Sequence, residues 1–278
     1  MGAIRRLGVC KRPDRPADRP GGGVHRRIRP CGGGGVRPLL EVDRLSKSYG
    51  DLPVLRDVAF HVDEGESLAI LGPSGCGKST LLRILLGLEG YDAGEVRGPV
   101  DRAGYLPQDA LLFPWKTVVQ NAELPLQIRG VDRKRRREEV ASRLPSFGLA
   151  GFEDAYPHEL SGGMRQRAGL LRAVVSGAAV LVLDEPFGAL DTLTRHRLQD
   201  WLSGLMSELH RTMLFVTHDL EEAVVLADRV LVLSGRPAGV IGERGISLSR
   251  EERSDRLSPL FYREKDGLLS MIRKGDER

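Results

Sequence analysis

The sequence predicts an α/β fold, and three observations carry that expectation. Gly72-Pro73-Ser74-Gly75-Cys76-Gly77-Lys78-Ser79-Thr80 fits the pattern G-x-x-x-x-G-K-S/T. It lies between the short apolar run Ser67–Leu71, which reads as a buried strand, and Leu81–Leu86, which reads as a buried helix closed by Gly87. Val180-Leu181-Val182-Leu183 is a second all-apolar run and ends in Asp184-Glu185; Met213–Thr217 is a third and ends in His218-Asp219. The C-terminal ends of buried strands are where doubly wound folds place ligands.

Residues 1–38 are rich in Arg, Gly and Pro and have almost no large apolar side chains. Such a segment buries too little surface to offset its ordering entropy, so a disordered basic extension is expected. A basic arm touching anionic lipid or RNA is the alternative. From Leu39 the pattern changes. Leu39–Leu45 and Val54–Val62 alternate as strands with one buried face, around a turn at Tyr49-Gly50-Asp51. Tyr49 reads as core or as a flat face for a purine ring, and the nearby glycine loop favours stacking.

In that loop, Gly72 to Thr80, glycines let the backbone turn tightly and approach phosphate oxygens without Cβ atoms in the way. Several backbone N–H groups and the positive end of a helix dipole then surround one anion. Lys78 is placed to bridge β- and γ-phosphates, and Ser79 to offer its hydroxyl to Mg²⁺. Next come strand candidates at Gly94–Arg97 and Gly104–Leu106, the second followed by Pro107-Gln108. The Gln108 amide is both donor and acceptor, able to serve a metal and a water together.

Residues 116–175 read as mostly helical, with Thr117 capping a helix toward Leu126 and Asp132 capping another. The run Arg133–Arg137 in the latter reads as a solvated face balanced by Glu138 and Glu139 rather than a nucleic-acid patch. Ser161 caps a helix that opens with Gly162 and Gly163, a second anion site. Asp184 suits a Mg²⁺ shell and Glu185 suits polarising a water. Ala189-Leu190-Asp191 opens a helix toward Leu209, and Val230–Leu233 is a further strand with Gly239–Ile241 beside it. The tail from Arg250 reads as partly helical, docked through Leu257, Leu260, Phe261, Leu268, Leu269 and Ile272.

At 278 residues with 41% hydrophobic content, the chain can bury a sizeable core. No uncharged apolar run approaches the roughly 18–20 residues of a membrane helix, and no secretory h-region is expected after the N-terminus. The three cysteines make neither a disulfide framework nor a metal spacing, which fits a reducing cytosol. Ten Arg/Lys against two Asp give residues 1–38 a net charge of +8; the whole chain is +4, so the remainder is mildly acidic at −4. On charge it is not expected to bind nucleic acid.

Together these residues resemble one family, the ATP-binding subunits of ABC transporters, over roughly residues 39–243. The resemblance rests on seven motifs in order: Tyr49, Gly72–Thr80, Gln108, Leu160-Ser161-Gly162-Gly163-Met164, Val180–Glu185, Ala189-Leu190-Asp191 and His218. Met164 stands where many members have Gln. A finer resemblance is to importer subunits of the nitrate/sulfonate/taurine type, which also handle bicarbonate and pyrimidine or thiamin precursors. Leu111–Trp115, Tyr156–Leu160, Asp184–Asp191 and Leu233–Pro237 carry it.

The resemblance implies a P-loop NTPase (RecA-like) core with an antiparallel β subdomain and an α-helical subdomain at about residues 110–175. A tail would follow from residue 244. It implies ATP and Mg²⁺ as cofactors, with Mg²⁺ held by Ser79, Gln108 and, through water, Asp184. Glu185 would be the general base, His218 the γ-phosphate switch and Lys78 the phosphate-binding cation. The nucleotide would lie between two copies, the P-loop of one facing Ser161, Gly162 and Gly163 of the other, with Asp191 communicating across the homodimer. Integral-membrane permease subunits would dock beside Gln108, Leu112, Phe113, Pro114 and Trp115, placing the protein at the cytoplasmic face of the cell membrane. A substrate-binding protein would be an indirect partner. Trp115 reads equally as local core. The alternatives are a soluble ATPase of the same family acting on nucleic acid or ribosomes, and the ATPase of an exporter. One core and no heptad stretch argue against the first.

Overall fold

The computed structural model describes residues 38–99, 103–188 and 190–276. The expected disordered extension, apart from Pro38, lies outside the described residues, as does Ala189. Two sheets organise the chain. β1 (Leu40–Tyr49), β2 (Leu52–Val62) and β4 (Ala93–Arg97) form an antiparallel sheet in the order β2-β1-β4. β3 (Ser67–Leu71), β5 (Gly104–Leu106), β6 (Val180–Asp184), β7 (Thr212–Thr217), β8 (Arg229–Leu233) and β9 (Val240–Gly245) form the second, in the order β5-β6-β7-β3-β8-β9. All its neighbours are parallel except β8 and β9. The two strand candidates after the glycine loop thus belong to different sheets.

The larger sheet is apolar on both faces because helices or strands cover both. Ala69, Leu71, Leu181, Leu183, Met213, Phe215, Val230 and Val232 point into one core. The alternate positions Leu68, Ile70, Val180, Val182, Leu214, Val216, Leu231 and Leu233 point into the other. The first core is shared with α5 (Gly162–Val175), α6 (Thr192–Leu209) and α7 (Leu220–Leu226). The second is shared with the antiparallel sheet and α1 (Lys78–Leu85). Each fully buried Leu, Val or Phe contributes about 1.5–3 kcal/mol of transfer free energy.

Register fixes the site. Leu71 pairs with Thr217, Asp184 with Val216, and Leu106 with Leu183. The C-terminal ends of β3, β7, β6 and β5 therefore lie side by side, and the chain leaves them at Gly72, His218, Glu185 and Pro107.

The helical region begins as expected at Thr117, whose hydroxyl accepts from Gln120 N while Gln120 Oε1 accepts from Thr117 N. It then divides into α2 (Val118–Ala122) and α3 (Leu124–Ile128), because Pro125 has no N–H to continue the ladder. Asp132 caps α4 (Arg133–Arg143) through Lys134 N, and Val140 alone is buried on it. Arg133, Lys134, Arg135 and Arg137 are exposed, as a solvated face would be, whereas Arg136 turns inward to pair with Glu123 in a largely buried contact.

Beyond β9, α8 (Arg250–Ser254) and α9 (Pro259–Asp276) follow. Phe261 and Leu268 are buried, but Leu257 and Leu260 are 81% and 47% exposed and do not dock, contrary to expectation. Leu257 precedes α9 in a turn pinned by Asp255, and it falls off the face that packs on α7, β8 and β9.

Candidate nucleotide-phosphate site

The glycine loop folds over β2. Gly77 has φ +123, and a Cβ there would lie 2.8 Å from Val54 Cγ1 and 3.1 Å from Leu55 Cδ2. Only glycine accepts that backbone and that approach. The loop, with Glu185 and Arg236, lines a cleft of about 190 Å³ whose walls include Ser74, Gly75, Gly77, Lys78, Ser79 and Thr80.

Lys78 is the most telling residue in it. The side chain is 5% exposed, and its Nζ donates to Gly72 O at 2.8 Å and Pro73 O at 3.0 Å. Glu185 Oε1 is 3.7 Å away. A buried ammonium held by carbonyls and one carboxylate is a cation placed for an anion in the loop. Cys76 packs inward, Cys76 N donating to Pro73 O, and burial pushes its thiol above the ordinary value.

On the adjacent strand end, Ser79 Oγ donates to Asp184 Oδ1 at 3.2 Å. Burial raises the Asp184 carboxyl above its usual range, against the opposing pull of that hydrogen bond, and the neighbouring Glu185 charge raises it further. A carboxylate in this setting is stabilised by a cation, so the Ser79 and Asp184 oxygens fit Mg²⁺. Glu185 has φ +44, left-handed backbone that non-glycine residues adopt at a cost of about 1–3 kcal/mol and that clusters at functional sites. The turn aims its carboxylate at His218, whose Nδ1 is 3.2 Å from Glu185 Oε2. Gln108 joins them: a Cβ built on Gly188 would be 3.6 Å from Glu185 Oε2 and 3.8 Å from Gln108 Nε2.

The structure thus brings Lys78, Ser79, Gln108, Asp184, Glu185 and His218 to one rim. Tyr49 stands at the end of β1 with its ring 45% exposed and Lys47 Nζ 5.0 Å above it. The Glu89 carboxylate raises its phenol above the ordinary tyrosine value. The second anion site is elsewhere. Ser161 Oγ accepts from Met164 N, capping α5, and Gly162 lines a separate cleft with Asp109, Leu112, Arg165 and Leu190. Asp191 caps α6 by accepting from Thr194 N, which holds its carboxyl below the usual range. Neither Ser161, Gly162, Gly163 nor Asp191 lines the glycine-loop cleft.

Several supporting residues escaped the sequence reading. Gln166 Nε2 donates to Gln108 O at 3.0 Å, and Arg172 donates to Ala110 O at 2.7 Å and Leu111 O at 3.0 Å, so α5 holds the segment after β5. Arg236 Nη2 donates to Gly75 O at 2.5 Å across the cleft mouth. These contacts span 58 to 161 residues and leave no local signal. Leu111, Phe113 and Trp115 are 66%, 40% and 68% exposed, with the Phe113 and Trp115 rings 5.3 Å apart, so Trp115 is not core.

A glycine loop with a buried lysine, a Ser–Asp pair and a Glu–His pair at adjacent parallel strand ends defines the P-loop ATPase class. The ABC transporter family model matches residues 55–188. The chain is 44% identical to the formylaminopyrimidine import ATP-binding protein ThiZ of Halalkalibacterium halodurans, over 73% of this chain and 82% of that one. It is 38% identical to the nitrate import ATP-binding protein NrtD of Synechocystis sp., over 84% and 95%. Among solved structures, the ATP-binding cassette MJ0796, as a dimer in a post-hydrolysis state with ADP and Pi, aligns with TM-score 0.66 at 28% identity, over 76% of this chain and 100% of that one. The chain belongs to the ABC transporter family, whose ATP-binding proteins are ATPases coupled to transport. No helix among the described residues is long and apolar enough to cross a membrane.

Proposed function

We propose that this chain energises import of a small solute of the nitrate, sulfonate, taurine or pyrimidine-precursor class. Two copies would close on two ATP molecules beneath an integral-membrane permease at the cytoplasmic face, with a substrate-binding protein as indirect partner. The observation that carries this reading is the alignment of Gly72, Glu185 and His218 at neighbouring strand ends, in a chain whose relatives are import ATP-binding proteins.

Lys78 would exchange its two loop carbonyls for β- and γ-phosphate oxygens, keeping its charge matched in a buried setting. Ser79 Oγ and the Gln108 amide oxygen would hold Mg²⁺ directly, and Asp184 through water. When bound, Mg²⁺ neutralises charge on the phosphates. Glu185 would take the proton of the attacking water, and His218, 3.2 Å from it, would contact the γ-phosphate. Gly72–Thr80 amides fix the phosphates, so most of the rate comes from positioning and charge stabilisation. Tyr49 would stack on adenine. The helix end at the exposed Ser161 and half-exposed Gly162, with Gly163 packed beneath them, would receive the partner's nucleotide, and Asp191 would touch the partner.

Of the expected docking residues, the exposed Phe113 and Trp115 would meet the permease together with the neighbouring exposed Leu111, while Leu112 is partly buried against the core. The test is an affinity purification of the tagged chain from detergent-solubilised native membranes. A polytopic permease and a binding protein of recognisable ligand type are expected. Recovery of ribosomal proteins or nucleic acid without a permease would overturn the importer reading.

A further inference from the structure

Arg195 lies in the first turn of α6, four residues after the Asp191 cap. Its guanidinium reaches two ways. Nη2 donates to Leu190 O at 2.9 Å, and Nη1 lies 3.5 Å from Asp219 Oδ2. Leu190 precedes Asp191; Asp219 follows His218. One side chain therefore bridges the segment that would face the partner copy and the segment that carries the switch histidine.

Both ends of the bridge are well anchored. Asp219 Oδ1 accepts from Glu221 N at 2.8 Å and Glu222 N at 3.4 Å, and Asp219 N donates to Thr217 Oγ1 at 2.9 Å. His218 Nδ1 then meets Glu185 Oε2 at 3.2 Å. At the other end Leu190 N donates to Phe187 O, and Gly188 N to Glu185 O, both at 3.2 Å. A planar, permanently charged fork suits such a two-way contact, and lysine cannot reproduce both arms. The pair is only 29% and 28% exposed, so solvent screens it less than a surface pair. Arg195 Nε is buried with no hydrogen-bond partner among the described residues.

We propose that Arg195 is a positioning residue that makes the placement of His218 follow the placement of Leu190 and Asp191, so that arrival of the partner copy sets the catalytic switch. This rests on the two-copy reading above. A contiguous path of one ion pair and several hydrogen bonds, running from Leu190 through Arg195 and Asp219 to His218, is the physical form that carries such coupling.

The test uses the full-length protein and its ATPase rate against ATP concentration, for wild type, R195A, R195K, D219N and R195A/D219N. Asn is retained at 219 because it still caps α7. Expected for R195A are an ATP Kd within about twofold of wild type, kcat lower by about tenfold, and a Hill coefficient falling to about 1. R195K should restore part of kcat. D219N should resemble R195A, and the double variant should be no worse than either single one. Wild-type cooperativity retained in R195A would overturn the assignment, as would multiplicative losses in the double variant. So would a loss of ATP affinity that tracks a fall in Tm, since that is a packing defect. A wild-type Hill coefficient of 1 would overturn this inference alone, whereas an E185Q variant that stays monomeric in saturating ATP and Mg²⁺ would overturn the two-copy reading and this inference with it.

Discussion

Glu222 offers a quantitative prediction. It is 3% exposed on α7, four residues beyond His218, and accepts from Thr217 Oγ1 through Oε2, while Oε1 has no partner among the described residues. Burial, with the Asp219 charge adding to it, pushes its carboxyl up to about 8 from a model-peptide value of 4.5. Between those two pH values the folded chain holds a proton at Glu222 that the unfolded chain has released. Stability from this group is therefore fully present below the unfolded value and is lost as pH rises toward the folded one, at a limiting slope of about 1.4 kcal/mol per pH unit. From pH 6 to pH 7.5 that amounts to about 2 kcal/mol. E222Q keeps the shape and cannot ionise, so its stability relative to wild type should rise with pH. Urea unfolding of both proteins at several pH values would show the midpoint difference growing by about 1 M over that range, for a slope near 2 kcal/mol/M. Parallel pH profiles would refute the reasoning, because they would mean that Glu222 is charged in the fold.

Other changes bear on the loop and the surface. G77A should lose ATP binding and at least about 2 kcal/mol of stability, read by nucleotide titration and thermal melting, because its Cβ would sit 2.8 Å from Val54 Cγ1 in left-handed backbone. S79A removes the hydroxyl that meets Asp184 at 3.2 Å, and should lower ATPase turnover by about 100-fold with a raised Mg²⁺ requirement, read by a Mg²⁺ titration. W115A should leave Tm unchanged, since the indole is 68% exposed, while recovery of the permease in affinity purification falls sharply.

What the sequence made legible was whatever is written locally. The apolar runs of β3, β6, β7 and β8 and the caps at Thr117, Asp132 and Ser161 are set by neighbours a few residues away, and all appear in the structure. The loop Gly72–Thr80 is recognisable because its chemistry needs adjacent residues. Arg195, Gln166, Arg172 and Arg236 were not legible, because each acts on a backbone carbonyl or, for Arg195, on the Asp219 carboxylate, brought near only by the tertiary fold. The exposure of Leu257 and Leu260 was missed for the same reason: helix spacing alone does not say which face of a terminal helix meets the core.

The most direct test of the central claim is the E185Q variant in ATP and Mg²⁺, followed by size-exclusion chromatography with light scattering and by phosphate release. The account predicts intact ATP binding, turnover reduced to background, and a stable dimer holding two ATP molecules. A variant that stays monomeric in saturating ATP and Mg²⁺, or that still hydrolyses ATP at the wild-type rate, would contradict it.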